Sequence, residues 1–382
     1  MGDNTEGQLG DGTTIQRRTG LQIATGVNYV AAGVAHSLFV KADGSLWGMG
    51  GNGAGVLGDG TTTQRITPVQ VAAGVKSVAA AAYHSHFVKL DGTLWAMGMN
   101  FNGQLGDSTL TDRLNPVQVA SNVDTVSANN LHTLFLKSDG TLWGMGNNST
   151  AALGHSRTNR DVSPVQIAAG VSGLAAGGGH SLFVKSDGSL WVMGVNVYGQ
   201  LGDGTQSSRL TPTQIDTGVR VVAAGRDHSL YVKADGTLWS MGRNNSGQLG
   251  DGVTTTFRPA PMQVASGVIG AACGGEHSLF LKQDGSLWAM GRGGHGQLGD
   301  GSLFDRPLPV RVANGVNSIA AGTFHSLFIS DIAPFVTSPS TAAGLAGQAF
   351  AYQVLASNNP TNYTATGLPA GLSINANSGL TT

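Results

Sequence analysis

Residues 36–50 read HSLFVKADGSLWGMG, and variants of this stretch recur along the chain every 48 or 49 residues. Each copy opens with a histidine and, in all but the last, reaches a tryptophan and a Met-Gly pair. The histidines form one ladder: His36, His84, His132, His180, His228, His277 and His325. The tryptophans form a second ladder: Trp47, Trp95, Trp143, Trp191, Trp239 and Trp288. A period of this length predicts a supersecondary unit that is repeated and stacked against its own copies.

Each repeat predicts four strands. An Ala/Gly-rich first strand, as at 30–33, precedes the histidine strand at 36–41. An Asp-Gly pair, the strongest short hairpin signal, joins that strand to a third strand at 45–50. A long loop then leads to an outer fourth strand at 69–71. The repeat is therefore predicted to be a small antiparallel sheet.

The second and third strands are apolar at consecutive positions rather than at alternate ones, as in Leu38-Phe39-Val40. Strands of this kind need cover on both faces of their sheet. A radial stack of blades gives that cover, because each blade packs between two neighbours. From the seven histidine strands we predict an all-β, seven-bladed β-propeller whose small first strands lie nearest the axis.

Three stretches carry a family resemblance: GQLGDGT at 199–205, PVQVAAGV at 68–75 and DGSLWAMG at 284–291. They resemble the repeat of the RCC1 (regulator of chromosome condensation) family, bacterial type. The resemblance implies a seven-bladed ring over residues 1–331. It implies no single function, because the family includes exchange factors, ubiquitin-ligase modules, a photoreceptor and inhibitor-like bacterial propellers.

The seventh repeat has a histidine strand but no Asp-Gly-x-Leu-Trp strand. Met1-Gly2 reads as the last two residues of such a strand, so we predict a final blade that lacks one strand and a chain that is clipped at its N-terminus. Members of the resembling family close their ring with N-terminal strands. The resemblance therefore implies that residues 21–23 supply the outer strand of the final blade.

The composition changes after Pro334, where charged residues and tryptophan nearly disappear. Residues 332–382 resemble the first half of a bacterial Ig-like, cadherin-like domain, with markers at 349–354 and 365–374. We therefore predict a truncated C-terminal Ig-like β-sandwich segment. A propeller joined to such a module suggests a monomeric propeller within a larger secreted or cell-surface protein, and hence an extracellular location.

The charge and composition exclude several classes of protein. The 21 Lys and Arg nearly balance the 22 Asp and Glu, whereas a nucleic-acid binder carries a basic excess, so no nucleic-acid partner is expected. No apolar run reaches the length of about 18 residues that a spanning helix requires, so no membrane insertion of this chain is expected. Cys273 is the single cysteine, which excludes an internal disulfide framework.

The histidine ladder is a structural feature in our interpretation, not a metal or catalytic site. A metal ion needs several ligands around one point, whereas a sevenfold repeat spreads its side chains around a circle. In each blade we expect the ladder histidine to bond a backbone carbonyl or a turn. His86, His155 and His295 fall outside the ladder and are expected at the surface. No metal, cofactor or catalytic residue is predicted.

Aspartate and arginine recur together in the long loops. Asp59 of a Leu-Gly-Asp motif is followed by Arg65, and most other repeats keep the same spacing. Repeat four has His155 in place of the aspartate, and its Arg160 is displaced by one position. The joint loss predicts an Asp–Arg ion pair within each loop, whose bidentate geometry stiffens the loop.

The most variable positions emerge at one end of the predicted propeller, which we call the variable face. It consists of the residues just before each ladder histidine and just after each Met-Gly pair, whereas the Asp-Gly turns form the opposite turn face. Binding residues are expected there, because function tends to lie on loops that a rigid scaffold holds. The candidates are Tyr83, Phe101, Leu131, Tyr198, Arg226, Asp227, Glu276 and Phe324, with Arg243, Arg292 and His295 beside them. Neutral variation in exposed turns is the competing interpretation.

These observations predict a noncatalytic binding or scaffolding module that recognises a protein or a surface glycan through the variable face. One alternative is an enzyme that uses the axial channel, but no catalytic residue set interrupts the repeats. A second is a guanine-nucleotide exchange factor. The resembling exchange factor uses an inserted wedge in one blade, and the regular spacing here leaves no room for one.

Overall fold

The computed structural model describes residues 1–155, 159–330, 351–353, 372–375, 378 and 380–381. The chain divides into two compact units, Met1–Ser330 and Asp331–Thr382. The described residues contain strands and turns but no helix.

The first unit contains six antiparallel sheets of four strands, each built from one repeat in sequence order. Their strands are β1 (Val27–Ala32), β2 (His36–Lys41), β3 (Leu46–Gly50), β4 (Arg65–Ala72), β5 (Val75–Ala80), β6 (His84–Lys89), β7 (Leu94–Gly98), β8 (Arg113–Ala120), β9 (Val123–Asn129), β10 (His132–Lys137), β11 (Leu142–Asn147), β12 (Arg160–Ala168), β13 (Val171–Ala176), β14 (His180–Lys185), β15 (Leu190–Gly194), β16 (Arg209–Asp216), β17 (Val219–Ala224), β18 (His228–Lys233), β19 (Leu238–Arg243), β20 (Phe257–Ala265), β21 (Val268–Cys273), β22 (His277–Lys282), β23 (Leu287–Gly291) and β24 (Arg306–Ala313). These sheets are the six blades of a β-propeller.

The prediction of seven blades is wrong. The seventh repeat forms only a two-stranded sheet, β25 (Val316–Ala321) with β26 (Ser326–Ser330). This sheet occupies the sector between the sixth blade and the first, where the backbone N–H of Thr323 donates to the carbonyl of Gly33 at 3.0 Å. The structure is therefore a six-bladed propeller whose remaining sector holds a pair of strands.

Among the described residues, the sector of β25 and β26 lacks a third and a fourth strand. Gly2 bridges His325 on one side and Arg17 on the other, but no described residue continues a third strand beyond it. Residues 21–23, expected to form the outer strand, have no strand conformation. Instead, Gly20 lies against the ring of Phe328, since a Cβ on Gly20 would meet that ring at 2.7 Å. A fourth strand does not form because it has no third strand to pair with.

The second unit shows one short antiparallel pair, β27 (Tyr352–Gln353) with β28 (Leu380–Thr381). Within the described part of this unit there is no Ig-like sandwich, so that prediction is wrong as well. Most of the predicted markers, at 349–350, 354 and 365–371, lie outside the described residues.

The core of the propeller lies between neighbouring blades. Leu38, Phe39 and Val40 are all buried, as their consecutive apolar pattern predicts, and the other five complete blades repeat this burial. In the first blade the Phe39 and Trp47 rings stack with centroids 6.3 Å apart, and Lys41 Nζ lies 4.7 Å from the Trp47 centroid. Each sheet is thus covered on both faces by apolar side chains.

The first strands surround the axis. The last residues of six of these strands and Ala128, the last but one of β9, form a ring of small side chains: Ala32, Ala80, Ala128, Ala176, Ala224, Cys273 and Ala321. These residues line an axial cavity of about 500 Å³. Small residues are required here because the blades converge towards the axis.

His86 departs from the expectation that it lies at the surface, because it is fully buried in the core. It occupies the position of Leu38 and Leu134 in neighbouring repeats, and its ring meets that of His84 edge-on with centroids 5.3 Å apart. Neither ring nitrogen makes a hydrogen bond of full geometry among the described residues. Burial lowers the pKa of His86 to about 3, against a smaller opposing effect of the Leu105 backbone, so the ring is neutral at pH 7.

We expect the substitution His86→Leu to raise the free energy of unfolding at pH 7 by about 1–3 kcal/mol, because it replaces a buried polar group that lacks a full hydrogen bond with an apolar side chain. The matched control is His84→Leu, which removes a hydrogen bond to Thr133 and should lower stability. Urea unfolding followed by tryptophan fluorescence measures both changes. A less stable His86→Leu variant would show that this ring has a favourable partner.

Candidate functional site

The seven ladder histidines form a closed circle of hydrogen bonds between repeats. In each bond the histidine Nε2 contacts a Ser or Thr hydroxyl of the next repeat. The pairs are His36–Ser85 at 2.8 Å, His84–Thr133 at 3.0 Å, His132–Ser181 at 2.9 Å, His180–Ser229 at 2.9 Å, His228–Ser278 at 2.9 Å, His277–Ser326 at 2.8 Å and His325–Ser37 at 2.8 Å. The Nε2 bond differs from the expected one, since its partner is a side-chain hydroxyl of the neighbouring repeat and not a backbone carbonyl or a turn. The ladder therefore joins the repeats around the axis.

The hydroxyl groups fix the direction of these bonds. Ser181 Oγ donates to the carbonyl of Ala152 at 2.7 Å, and Ser229 Oγ donates to that of Gln200 at 2.8 Å. A hydroxyl that gives its single proton to a carbonyl can only accept from the histidine. Each ladder ring that meets such a hydroxyl therefore carries a proton on Nε2, and a neutral ring has its only proton there.

Burial holds the ladder histidines in this neutral form. It lowers the pKa of His36, His132 and His228 to about 4. It lowers the pKa of His180 and His277 to about 3. A second proton would go to Nδ1, which is buried and has no partner among the described residues in His84, His180, His228, His277 and His325.

The predicted Asp–Arg pairs are present, but their geometry is not bidentate. Arg65 donates from Nε and Nη2 to the same oxygen, Asp59 Oδ2, both at 2.7 Å. Asn52 Nδ2 donates to the other oxygen of Asp59 at 3.0 Å, so the carboxylate is held on both sides. The arrangement stiffens the long loop that links the third strand to the fourth.

In repeat four the basic and the acidic residue of this pair exchange places. His155 stands at the aspartate position, and its Nε2 lies 2.9 Å from Asp161 Oδ2. The displaced Arg160 donates instead to the carbonyl of Phe101 at 3.3 Å. His155 is thus a partly buried loop residue and not the surface residue that the sequence suggested.

The structure brings the predicted binding residues to the variable face. At each site the residue before the ladder histidine accepts a backbone hydrogen bond from the residue after the Met-Gly pair. In the six complete blades the resulting cross-strand pairs are Ala35–Gly51, Tyr83–Met99, Leu131–Asn147, Gly179–Val195, Asp227–Arg243 and Glu276–Arg292. The incomplete sector adds Phe324–Asp3. Small, apolar or neutral residues fill the first four blade pairs, whereas the last two blade pairs hold opposite charges. The face is therefore divided into two sectors.

The apolar sector consists of Tyr83, Met99, Phe101 and Leu131. The side chains of Tyr83 and Phe101 are 47% and 51% exposed, although both are large and apolar. Exposed aromatic side chains at the end of a rigid hairpin are typical anchors of a protein interface. This sector offers a partner apolar area without prior rearrangement.

The charged sector consists of Arg226, Asp227, Arg243, Glu276 and Arg292. Arg243 Nη1 lies 3.3 Å from Asp227 and 3.9 Å from Glu276, and Arg292 Nη1 donates to Glu276 at 2.7 Å. The alternating charges form one network across two blades. This network fixes the side chains before a partner arrives.

Two aromatic residues extend the charged sector. The Tyr198 ring lies under the Arg243 guanidinium, with its centroid 5.1 Å away. The rings of Phe324 and His295 contact each other with centroids 4.9 Å apart. His295 was expected at the surface, and it lies on this face beside a predicted binding residue.

Two features of this region were not predicted from the sequence. It did not show the hydrogen-bonded circle, although the Ser or Thr that follows every ladder histidine was a visible signal. It also did not show that the mouth of the axial cavity opens at the centre of the variable face, where Tyr83, Arg226 and Phe324 all line it.

Within the described ranges, no three His, Cys, Asp or Glu side chains gather closely enough to hold a metal ion. Over the same ranges, the structure contains no helix with the length and apolarity that a membrane span requires.

Comparison with known proteins shows similarity over the whole propeller. A family model described as the RCC1-like domain matches residues 1–329. No curated protein matches the sequence.

Two solved structures share the fold. Human WBSCR16 is 22% identical, with a TM-score of 0.77, and the match covers 86% of this chain and 97% of that one. Prp20p from Saccharomyces cerevisiae, described with its binding to Gsp1p and histones, is also 22% identical. Its TM-score is 0.75, over 86% of this chain and 91% of that one. At this identity the similarity shows the fold alone.

Proposed function

Because the chain belongs to the RCC1-like domain family, we propose that it is a noncatalytic module that binds a protein partner through its variable face. The observation that carries this proposal is the division of that face into an exposed apolar sector and a preformed charged sector. Prp20p, of similar fold, binds the proteins Gsp1p and histones, which supports a protein rather than a glycan as the partner.

The geometry suits recognition better than catalysis. The ladder histidines, the residue type whose free pKa lies nearest to pH 7, are buried, and their Nε2 protons are donated to hydroxyls of neighbouring repeats. In the charged sector, Arg292 and Arg243 are paired with Glu276 and Asp227. Aromatic and arginine anchors around a central depression are the features that protein interfaces share. An extracellular or cell-surface location remains part of the proposal.

Alanine substitution of Tyr83, Arg226 and Phe324 together should abolish the capture of partner proteins in quantitative affinity purification. The reason is that these residues surround the central depression of the face. The melting temperature should change little for Tyr83 and Arg226, because substitutions at exposed positions usually cost within about 0.5 kcal/mol each. Half-buried Phe324, whose ring contacts His295, should account for most of any decrease.

A turn-face variant with Tyr29→Ala and Leu90→Ala provides the matched control. Tyr29 is 50% exposed, close to the 47% of Tyr83, and Leu90 is 72% exposed. This control should capture the same proteins as the unmodified chain. If the two variants lose the same proteins, the assignment of binding to the variable face is wrong.

A further inference from the structure

One residue of each repeat stands at the mouth of the axial cavity, two positions before the ladder histidine. This mouth ring is Val34, Ala82, Asn130, Gly178, Arg226, Gly275 and Thr323. Arg226 is the single charged residue among the described residues that line the cavity. The ring therefore places one positive charge at the centre of the variable face.

Arg226 is more available than the other arginines of this face. Its side chain is 65% exposed, compared with 23% for Arg243 and 40% for Arg292. Its nearest carboxylate, that of Asp227, lies 3.7 Å away, whereas Arg292 is bound to Glu276 at 2.7 Å. The guanidinium of Arg226 thus keeps most of its donors for an incoming group.

The neighbours of Arg226 in the mouth ring leave it uncovered. Both neighbours are glycines, and a backbone oxygen lies close to each of them. A Cβ on Gly178 would lie 2.3 Å from the carbonyl oxygen of Arg226. A Cβ on Gly275 would lie 2.9 Å from the carbonyl oxygen of Thr323. A larger residue would therefore not fit at either position. An approaching group can reach the guanidinium from the side of both glycines.

The rest of the mouth is polar and aromatic. Asn130 has a positive φ of 39° and donates from Nδ2 to the carbonyl of Gly178 at 3.0 Å. A positive φ in a non-glycine residue is uncommon and often occurs at binding sites. Tyr83 and Phe324 also line the mouth. This combination can receive a small charged group that is flanked by apolar atoms.

We propose that the partner projects one aspartate or glutamate side chain from a loop into the axial mouth, where its carboxylate pairs with Arg226. This inference rests on the proposed function and specifies the chemistry of the partner. A carboxylate fits the planar fork of a guanidinium in bidentate fashion. A phosphate group, in contrast, is usually recognised by a cluster of arginines, and this mouth has one.

The test uses a library of constrained random loops displayed on one scaffold protein, selected separately against the unmodified chain and against Arg226→Glu. Loops selected on the unmodified chain should carry a central Asp or Glu, and those selected on Arg226→Glu should carry Lys or Arg. An acidic loop should lose about tenfold or more in affinity for Arg226→Gln, because its carboxylate loses its partner. The control Arg220→Gln, near the turn face, should bind it unchanged.

Two other outcomes are distinguishable. Selected loops that need Tyr83 and Phe324 but show no acidic preference would overturn this inference and leave the proposed function in place. Selected loops that bind regardless of Tyr83, Arg226 and Phe324 would overturn both the inference and the proposed function.

Discussion

Acidification from pH 7 to pH 4 is expected to unfold the propeller in one steep transition that takes up seven or more protons. The ladder histidines remain neutral in the folded chain, because burial lowers the pKa of His36 and His132 to about 4. In the unfolded chain the same groups titrate near pH 6.5. Below that pH the histidines of the unfolded state therefore bind protons, whereas the buried histidines of the folded state do not.

The sign and the window follow from these pKa values. Stability is complete above about pH 6.5, and it falls as the pH drops towards 4. Each histidine with a folded pKa of about 4 costs roughly 3 kcal/mol over this window. Since a domain of this kind has about 5–15 kcal/mol of stability, we expect the midpoint near pH 5.

The loop aspartates cannot account for this transition. Burial acts to raise the pKa of Asp11, but hydrogen bonds from Thr13 and Arg17 outweigh it and hold the pKa at about 2. Circular dichroism against pH, combined with the pH dependence of urea unfolding, measures the midpoint and the proton uptake. His86→Leu should reduce the uptake by one proton. A midpoint below about pH 3.5, or an uptake of two protons or fewer, would contradict the prediction.

A designed extension of the chain should have the second large effect. Adding Asp-Gly-Ser-Leu-Trp-Gly before Met1 reproduces the sequence at 43–48 and gives the two-stranded sheet a third strand. We expect the free energy of unfolding to rise by about 3–6 kcal/mol, because the added Leu and Trp become buried. The new tryptophan should stack on Phe328, as Trp47 stacks on Phe39.

The added residues continue the antiparallel bridge that Gly2 already makes with His325. Denaturant unfolding should be compared with that of a control extension, Asp-Gly-Ser-Ser-Ser-Gly, which adds a peptide bond before Met1 but no apolar side chain. Equal stability of the two extended chains would show that no strand forms.

The repeat pattern was enough to predict the propeller architecture but not its number of complete blades. The consecutive apolar residues around Phe39 and the Asp43-Gly44 turn specify a hairpin that is covered on both faces. The number of strands in the last sector depends on contacts between residues that are far apart in the sequence, and a repeat pattern does not show such contacts. Gly2 bridges His325, whereas residues 21–23, expected to form the outer strand, have no strand conformation.

The sequence also predicted which face the candidate residues lie on better than it predicted their hydrogen-bond partners. The variation of Tyr83, Arg226 and Phe324 between otherwise regular repeats indicated one face. The partner of each ladder histidine could not be found in the same way, because His36 and Ser85 are adjacent only after two blades have packed. His86 shows the same limit: its burial follows from its position in a strand, but its residue type suggested the surface.

Site-specific photo-crosslinking tests the central claim most directly. A photoreactive phenylalanine analogue is placed at Tyr83 on the variable face or, in a matched chain, at Tyr29 on the turn face. We predict one dominant crosslinked partner protein from position 83, lost when Arg226 and Phe324 are changed to alanine, and none of that partner from position 29. The same partner crosslinked equally from both positions would contradict recognition through the variable face.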